Sequence, residues 1–340
     1  MRKFLITIVL LGLLSFVGMF LTKQWYESLV QQELNISDKY TLLVNKGAGL
    51  SSIANQLQKD ELIDSVLAFK LLARVEGTAN EIKAGEYLLN QGVTPKSLLD
   101  ILVEGDVVLH QVTIPEGFRF REMLDLLHRN TNLKATLKGK SDAEIMQQLG
   151  YPDQHPEGLF LPETYRFEKN SEDVLILKQA YQAMQEVLAN AWEQKSEHSV
   201  LKSPYEALIL ASIIEKETGV FDEQATIAGV FNSRLLKGMR LQTDPTVIYG
   251  MGDSYAGDIR RRDLQTDTPY NTYTRSGLTP TPISLPGKNA IFAAVNPEIH
   301  DKLYFVATGD GDGRHYFSAS LEEHNQAVQR YLKKYRAKNN

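Results

Sequence analysis

The chain has 340 residues, enough for two or three domains of ordinary size. Its 43% hydrophobic and 23% charged content is that of a globular protein, and a net charge of −5 excludes a global basic field for nucleic acid. The absence of cysteine excludes a disulfide framework, thiolate zinc sites, a cysteine nucleophile and a lipoprotein anchor, but does not identify the compartment.

Arg2 and Lys3 precede residues 4–21, eighteen positions without a charge and just long enough to cross a bilayer. A cleaved signal peptide is the rival reading. No small-x-small cleavage site follows the apolar run, and Trp25 and Tyr26 stand where interfacial aromatics belong. The expectation is therefore an uncleaved anchor over 1–22. Its basic N-terminus places that end in the cytoplasm and the rest of the chain outside the inner membrane.

Residues 23–38 read as a polar, helix-prone stalk. A small α/β module is expected over 39–106, with a strand at 40–44, helices at 50–57 and roughly 64–75, a return strand at 85–89 and a short helix at 95–102. A connecting α/β region follows over 107–202. Its strand-turn-helix, Val112-Thr-Ile-Pro-Glu-Gly117 into 120–127, echoes 44–57, as an internal duplication or as two similar units. Residues 141–200 look mainly helical, interrupted by Glu157-Gly-Leu-Phe-Leu-Pro-Glu-Thr-Tyr165. The last region, 203–340, opens with two helices. A stretch with few periodic runs, 238–287, comes next, and such length inside a compact domain is usually functional. A hairpin is expected from 302–308 and 314–318 around Gly309-Asp-Gly-Asp-Gly313, and Ser320 with Glu323 caps a final amphipathic helix. The fold class expected is α+β: one transmembrane helix, a small module and a larger mixed domain.

The most informative stretch is Pro204-Tyr-Glu-Ala-Leu-Ile-Leu-Ala-Ser-Ile-Ile-Glu-Lys-Glu-Thr218. Ser203 suits the N-cap, Pro204 the first helical position and Glu206 the third, which makes a capping box. Leu210, Ile213 and Ile214 lie at i, i+3 and i+4, and the next position on that face is Glu217. An acid that continues an apolar stripe is desolvated, which raises its pKa toward the value a general acid needs near neutrality. Glu215 stands about 200° away around the helix. The competing reading of Glu217 is an ordinary surface glutamate at a fraying helix end, since Gly219 follows.

Other motifs carry less. Asp310-x-Asp312 lacks the further ligands of a calcium loop. Gly252-Asp253-Ser254 lacks an Asp/His pair, and Ser199-x-x-Lys202 lacks its companion motif. Seven histidines are scattered and none falls in His-Glu-x-x-His, so neither metal nor cofactor is expected. After the second helix, Arg240, Gln242, Thr243 and Asp244 lie close to Tyr249, and Pro269-Tyr-Asn-Thr-Tyr273 adds Asn271 and Tyr273. Aromatic faces beside amides and carboxylates suit sugar recognition. A well-packed loop with satisfied turns is the alternative.

Leu210 to Thr218, Arg240-Leu-Gln-Thr-Asp-Pro-Thr-Val-Ile-Tyr-Gly250, Tyr270-Asn-Thr-Tyr273, Glu157 to Tyr165 and the N-terminal anchor together resemble the endolytic murein transglycosylase, or YceG-like, family. The resemblance covers nearly the whole chain, and the module at 39–106 resembles a LysM-like peptidoglycan-binding subdomain. It implies cleavage of the MurNAc–GlcNAc β-1,4 bond inside nascent peptidoglycan strands, leaving 1,6-anhydro ends and terminating elongation. The family's catalytic glutamate falls on Glu217, with the Glu-Thr here matching the Glu-Ser of other lytic transglycosylases. Gln242, Thr243, Asp244, Tyr249, Asn271 and Tyr273 are the substrate-binding candidates. The partners implied are glycan strands, the inner membrane and peptidoglycan synthases, and no nucleic acid. Two rival readings remain: a non-catalytic cell-wall scaffold, and a muramidase with a second carboxylate, for which Glu163, Asp244 and Glu215 are the candidates.

Overall fold

The computed structural model describes residues 2–339; Met1 and Asn340, the outer ends of the expected anchor and catalytic region, lie outside it. The chain divides into two compact units, Met1–His110 with Phe167–Asn170, and Gln111–Arg166 with Ser171–Asn340. Helices and strands are mixed, as expected, and among the described residues the strands come only in pairs.

The first unit opens with α1 (Arg2–Gln31), whose apolar part is long enough to cross a membrane and is unburied. The helix runs on well past the apolar residues, because 22–31 contains neither glycine nor proline. Behind it come β1 (Lys39–Val44), α2 (Leu50–Lys59), α3 (Val66–Val75), β2 (Gly85–Asn90) and α4 (Pro95–Glu104), in the expected order. β1 and β2 pair antiparallel from Lys39↔Asn90 to Val44↔Gly85. Leu42, Tyr87 and Leu89 from the strands meet Ile53, Leu57, Phe69, Leu72, Leu98 and Leu102 from the helices, all buried. Side-chain caps start two of these helices, Ser65 on α3 and Thr94 with Ser97 on α4.

Residues 23–38 are not a free stalk. Tyr26 and Val30, one helical turn apart, pack against the core of the module, and Leu34 and Ile36 lie inside it. The Leu34 N–H donates to the Val93 carbonyl at 2.8 Å. Four apolar residues dispersed among polar ones made the segment look solvated, yet their spacing puts them on one side.

The second unit is organised around one helix. Its elements are most of β3 (Leu109–Thr113) and of β5 (Thr164–Glu168), each of which has two residues in the first unit, with α5 (Phe120–Arg129), β4 (Leu133–Lys134), α6 (Asp142–Leu149), β6 (Ser171–Glu172), α7 (Asp173–Glu193), α8 (Pro204–Glu217), α9 (Phe221–Leu236), α10 (Asp244–Met251), α11 (Arg261–Gln265), α12 (Lys288–Val295), β7 (Tyr304–Ala307), β8 (His315–Ser318) and α13 (Leu321–Asn339). β4 pairs with β6 in parallel, and β7 with β8 as the expected hairpin. Every residue of α8 from Ala207 to Ile214 is buried, and the helix packs against α7, α9, α10 and α12. A helix apolar on all sides is a core element. The single apolar stripe expected from its sequence is therefore one part of a wholly buried surface.

Its start departs in a detail from the expected capping box. Ser203 caps by accepting from the Glu206 N–H at 3.2 Å, but the Glu206 carboxylate accepts from the Lys202 N–H at 2.7 Å, one residue upstream of the reciprocal partner. Mid-helix Ser212 is buried and tied on both sides. Its hydroxyl donates to the Ile209 carbonyl at 2.7 Å and accepts from the Ile283 N–H at 3.0 Å, which stitches the 282–285 segment onto α8. The 238–287 segment is also more regular than expected, because it contains α10 and α11.

Candidate active site

α8 ends where it leaves the core. Glu217 is its last residue, Thr218 is the C-cap and Gly219 follows. The half-buried Glu217 side chain opens on a groove of about 360 Å³. Gln242, Thr243, Asp244 and Tyr273 line this groove with it, and Arg234, Tyr304, Phe305 and His324 form further wall. Burial pushes the Glu217 carboxyl up to about 7, with the charge of Asp244 adding to the rise. The Thr243 hydroxyl, which donates to Glu217 Oε1, and the Arg234 cation act in the opposite direction. An acid protonated near neutrality and open to a groove is equipped to give a proton to a bound ligand.

A threonine cluster fixes the group that touches this acid. The Thr243 N–H donates to Thr272 Oγ1 at 3.0 Å, and the Thr246 hydroxyl donates to the Thr243 carbonyl at 2.7 Å. Gln242 just before it has φ of 50°, a left-handed backbone that a glutamine adopts only at a cost of about 1–3 kcal/mol. That turn aims 242, 243 and 244 into one groove. Asp244 opens α10, a favourable place for a negative charge, and accepts from the Tyr273 hydroxyl at 2.5 Å. Gln242, Thr243, Asp244 and Tyr273 are thus brought together with Glu217, as the sequence suggested.

Two other candidates are not in the groove. Asn271 is 1% exposed. Its amide donates to the carbonyls of Asp263, Leu264 and Thr266, at 3.2, 3.2 and 2.7 Å, and its Oδ1 accepts from the Tyr273 N–H at 2.8 Å. Its amide nitrogen and its oxygen are both engaged by the loop that carries Tyr273, and its burial keeps it from a sugar in the groove. Asn271→Ala should therefore destabilise the protein by about 2 kcal/mol, the cost of stranding buried carbonyls, read as a lower midpoint in denaturant. Tyr249 points instead to Glu157, its hydroxyl donating to Oε2 at 3.1 Å, with its ring edge against Tyr270 and the Arg119 guanidinium above it. Glu157 is itself buried, accepts from the Phe120 N–H at 2.9 Å and is pushed up to about 7 by burial.

The rival carboxylates separate in the same way. Glu215 accepts from the Gly287 N–H at 3.0 Å, and burial raises it to about 7 as well. Desolvation therefore does not choose between 215 and 217, although the two stand on different faces of α8. The choice rests on direction: Glu217 lines the groove and Glu215 does not. Glu163 is exposed, pairs with Lys288 at 3.1 Å and lines a different cleft, beside Glu116 and Asn289. Among the described residues, Asp244 is the one further carboxylate lining the groove.

Sequence reasoning missed Arg234, Tyr304, Phe305 and His324. Arg234 carried a readable signal, since Ile227, Val230, Phe231 and Arg234 repeat in α9 the i, i+3, i+4, i+7 spacing that singled out Glu217. The other three come from β7 and α13, remote in sequence, and only the fold joins them to the site. The His324 ring stacks on Tyr304 at 5.3 Å, and its buried Nδ1 has no hydrogen-bond partner.

The YceG-like family matches residues 42–330, a span that holds the small module from the middle of β1 onward, α8 and the whole groove. The chain belongs to the YceG-like family. An endolytic murein transglycosylase of Bacillus subtilis (strain 168) is 32% identical over 318 residues, 86% of each chain. Another, from Streptococcus pneumoniae serotype 2 (strain D39 / NCTC 7466), is 28% identical over 96% of this chain, which spans 64% of that relative's length. A YceG-like protein of Listeria monocytogenes, solved by crystallography, superposes with a TM-score of 0.55 at 32% identity, over 85% of this chain and 99% of its own. In this YceG-like chain the matched span begins after the apolar helix, so α1 stands outside it.

Proposed function

We propose that this YceG-like protein is an endolytic peptidoglycan transglycosylase, with Glu217 as its acid and base. The observation that carries the reading is a desolvated carboxyl group at the head of a groove walled by Gln242, Asp244 and Tyr273. Curated relatives are named endolytic murein transglycosylases, and the site chemistry fits that name.

The steps balance with one acid. Protonated Glu217 donates to the oxygen of the MurNAc–GlcNAc bond as the bond to MurNAc C1 breaks. The resulting carboxylate takes the proton from the MurNAc C6 hydroxyl, whose oxygen closes on C1. A 1,6-anhydroMurNAc end and a free GlcNAc hydroxyl result, no water is consumed, and Glu217 is protonated again. The nucleophile belongs to the substrate and is already adjacent, so proximity replaces the second carboxylate of an ordinary glycosidase. Tyr273 offers an aromatic face to a pyranose, while Gln242 and Asp244 supply partners for its hydroxyls. α1 anchors the chain in the inner membrane with the catalytic unit on the periplasmic side, where strands are made.

Mass spectrometry of products from purified glycan strands tests this reading. Transglycosylation gives anhydro ends, whereas hydrolysis gives products heavier by one water. Asp244, in the same groove, is the specific observation that favours a hydrolase as the second reading. Hydrated ends would establish it, and strands left intact would mean a scaffold.

A further inference from the structure

Arg234 is 7% exposed, yet it lines the groove. Its Nε donates to the Leu303 carbonyl at 2.7 Å, and Nη1 donates to the carbonyls of Leu241 at 2.6 Å and Arg240 at 3.3 Å. The guanidinium lies over the Tyr304 ring, 5.2 Å from its centroid. These contacts fix the cation in place, and a guanidinium keeps its charge at any working pH. No hydrogen bond or ion pair joins it to Glu217, whose protein partner is the Thr243 hydroxyl.

We propose that Arg234 is a positioning residue for the Glu217 acid: a locked cation that steadies the carboxylate formed when Glu217 releases its proton, without pairing with the resting acid. The inference rests on Glu217 being the acid of the reaction. A cation in direct contact would hold Glu217 ionised before the substrate arrived. One held back by three carbonyls leaves burial and Asp244 to keep the resting acid protonated, and acts as negative charge develops. The proton goes to the leaving oxygen and returns from the C6 hydroxyl, so the same fixed charge serves both halves of the cycle. Among the described residues, Thr243 and Asp244 from the 240–244 turn and α10, Tyr273 from the following loop and Arg234 from α9 act on Glu217, and Tyr304 of β7 and His324 of α13 line the same groove. Arg234 is the one permanently charged cation among them. It also grips the carbonyls of residues 240 and 241, directly before the Gln242 turn, so charge and backbone support arrive through one side chain.

The test uses full-length protein in detergent, with Arg234→Lys and Arg234→Gln. Two readouts are taken: the basic limb of the pH–rate profile, and the pH dependence of the stability difference between each background and its Glu217→Gln partner. The second follows Glu217 ionisation with no substrate present, so a failure of the transglycosylase reading leaves it intact. Both limbs should move upward, by about one unit in Arg234→Gln and by less in Arg234→Lys, which keeps a charge but loses the fork. Plateau kcat in Arg234→Gln should fall at least about tenfold. The upward shift should persist in a Thr243→Val background. Limbs that stay put in whichever variant folds, or a shift that vanishes with Thr243→Val, would reduce Arg234 to a brace for the backbone and overturn the proposal.

Discussion

Glu217→Gln should lower kcat for release of anhydro-muropeptides by about a thousandfold or more, within the range expected for loss of a positioned general acid. The substitution keeps shape and most contacts. The amide oxygen still accepts from the Thr243 hydroxyl, and the groove walls are untouched. Glycan binding should therefore survive, and the loss should fall on kcat rather than on affinity for strands. Glu215→Gln is the matched control. It retains an acceptor for the Gly287 N–H and lies outside the groove, so it should turn over at close to the wild-type rate. The two carboxyl groups are equally raised, to about 7, and stand two residues apart, so the pair of variants separates direction from desolvation. Wild-type kcat/KM should also decline above about pH 7 as Glu217 ionises. A Glu217→Gln enzyme with full activity would remove the acid from the mechanism.

Local signals carried the first unit. β1, α2, α3, β2 and α4 each have a periodic core face bounded by turn residues, and they lie within a few residues of their expected limits. What the sequence hid there was the packing of Tyr26, Val30, Leu34 and Ile36, because isolated apolar residues in a polar run show a side only when a partner surface exists. In the second unit, periodicity found Glu217 and passed over Arg234, although both continue an apolar stripe at i+7. Polar residues around 240–273 were recognisable as a set, but composition could not sort those facing the groove from those satisfying the loop. Asn271 and Gln242 are both amides in polar context; one is consumed by three carbonyls, and the other is held open by a left-handed turn. α10 was missed because it is only eight residues long, with Pro245 in its first turn and just Thr246 and Val247 buried. The wall from β7 and α13 is tertiary in origin and has no local signature.

The raised pKa of Glu217 makes a second prediction, of opposite sign in stability. Its carboxyl titrates near 7 in the folded protein, against an ordinary value of 4.5. Below pH 4.5 both states are protonated and the side chain resembles glutamine. Between 4.5 and 7 the unfolded chain has released the proton while the folded chain keeps it, so rising pH favours unfolding by about 1.4 kcal/mol per unit. Above 7 both states are ionised and the loss is complete, at about 3 kcal/mol. Glu217→Gln escapes this cost. The variant should match wild type in stability at pH 4 and exceed it by about 3 kcal/mol at pH 8, a rise in Tm of roughly 6–12 °C for a unit of this size. Glu157 and Glu215 are raised in the same direction, but they are present in both proteins and cancel from the difference. Trp192, in α7 of the second unit, and Trp25, in the first, allow the unfolding of each unit to be followed by fluorescence. A site that trades stability for a protonated acid must show the trade when the acid is removed; equal melting of the two proteins at pH 8 would mean that Glu217 is solvated and ordinary, and that it is not held ready as a proton donor.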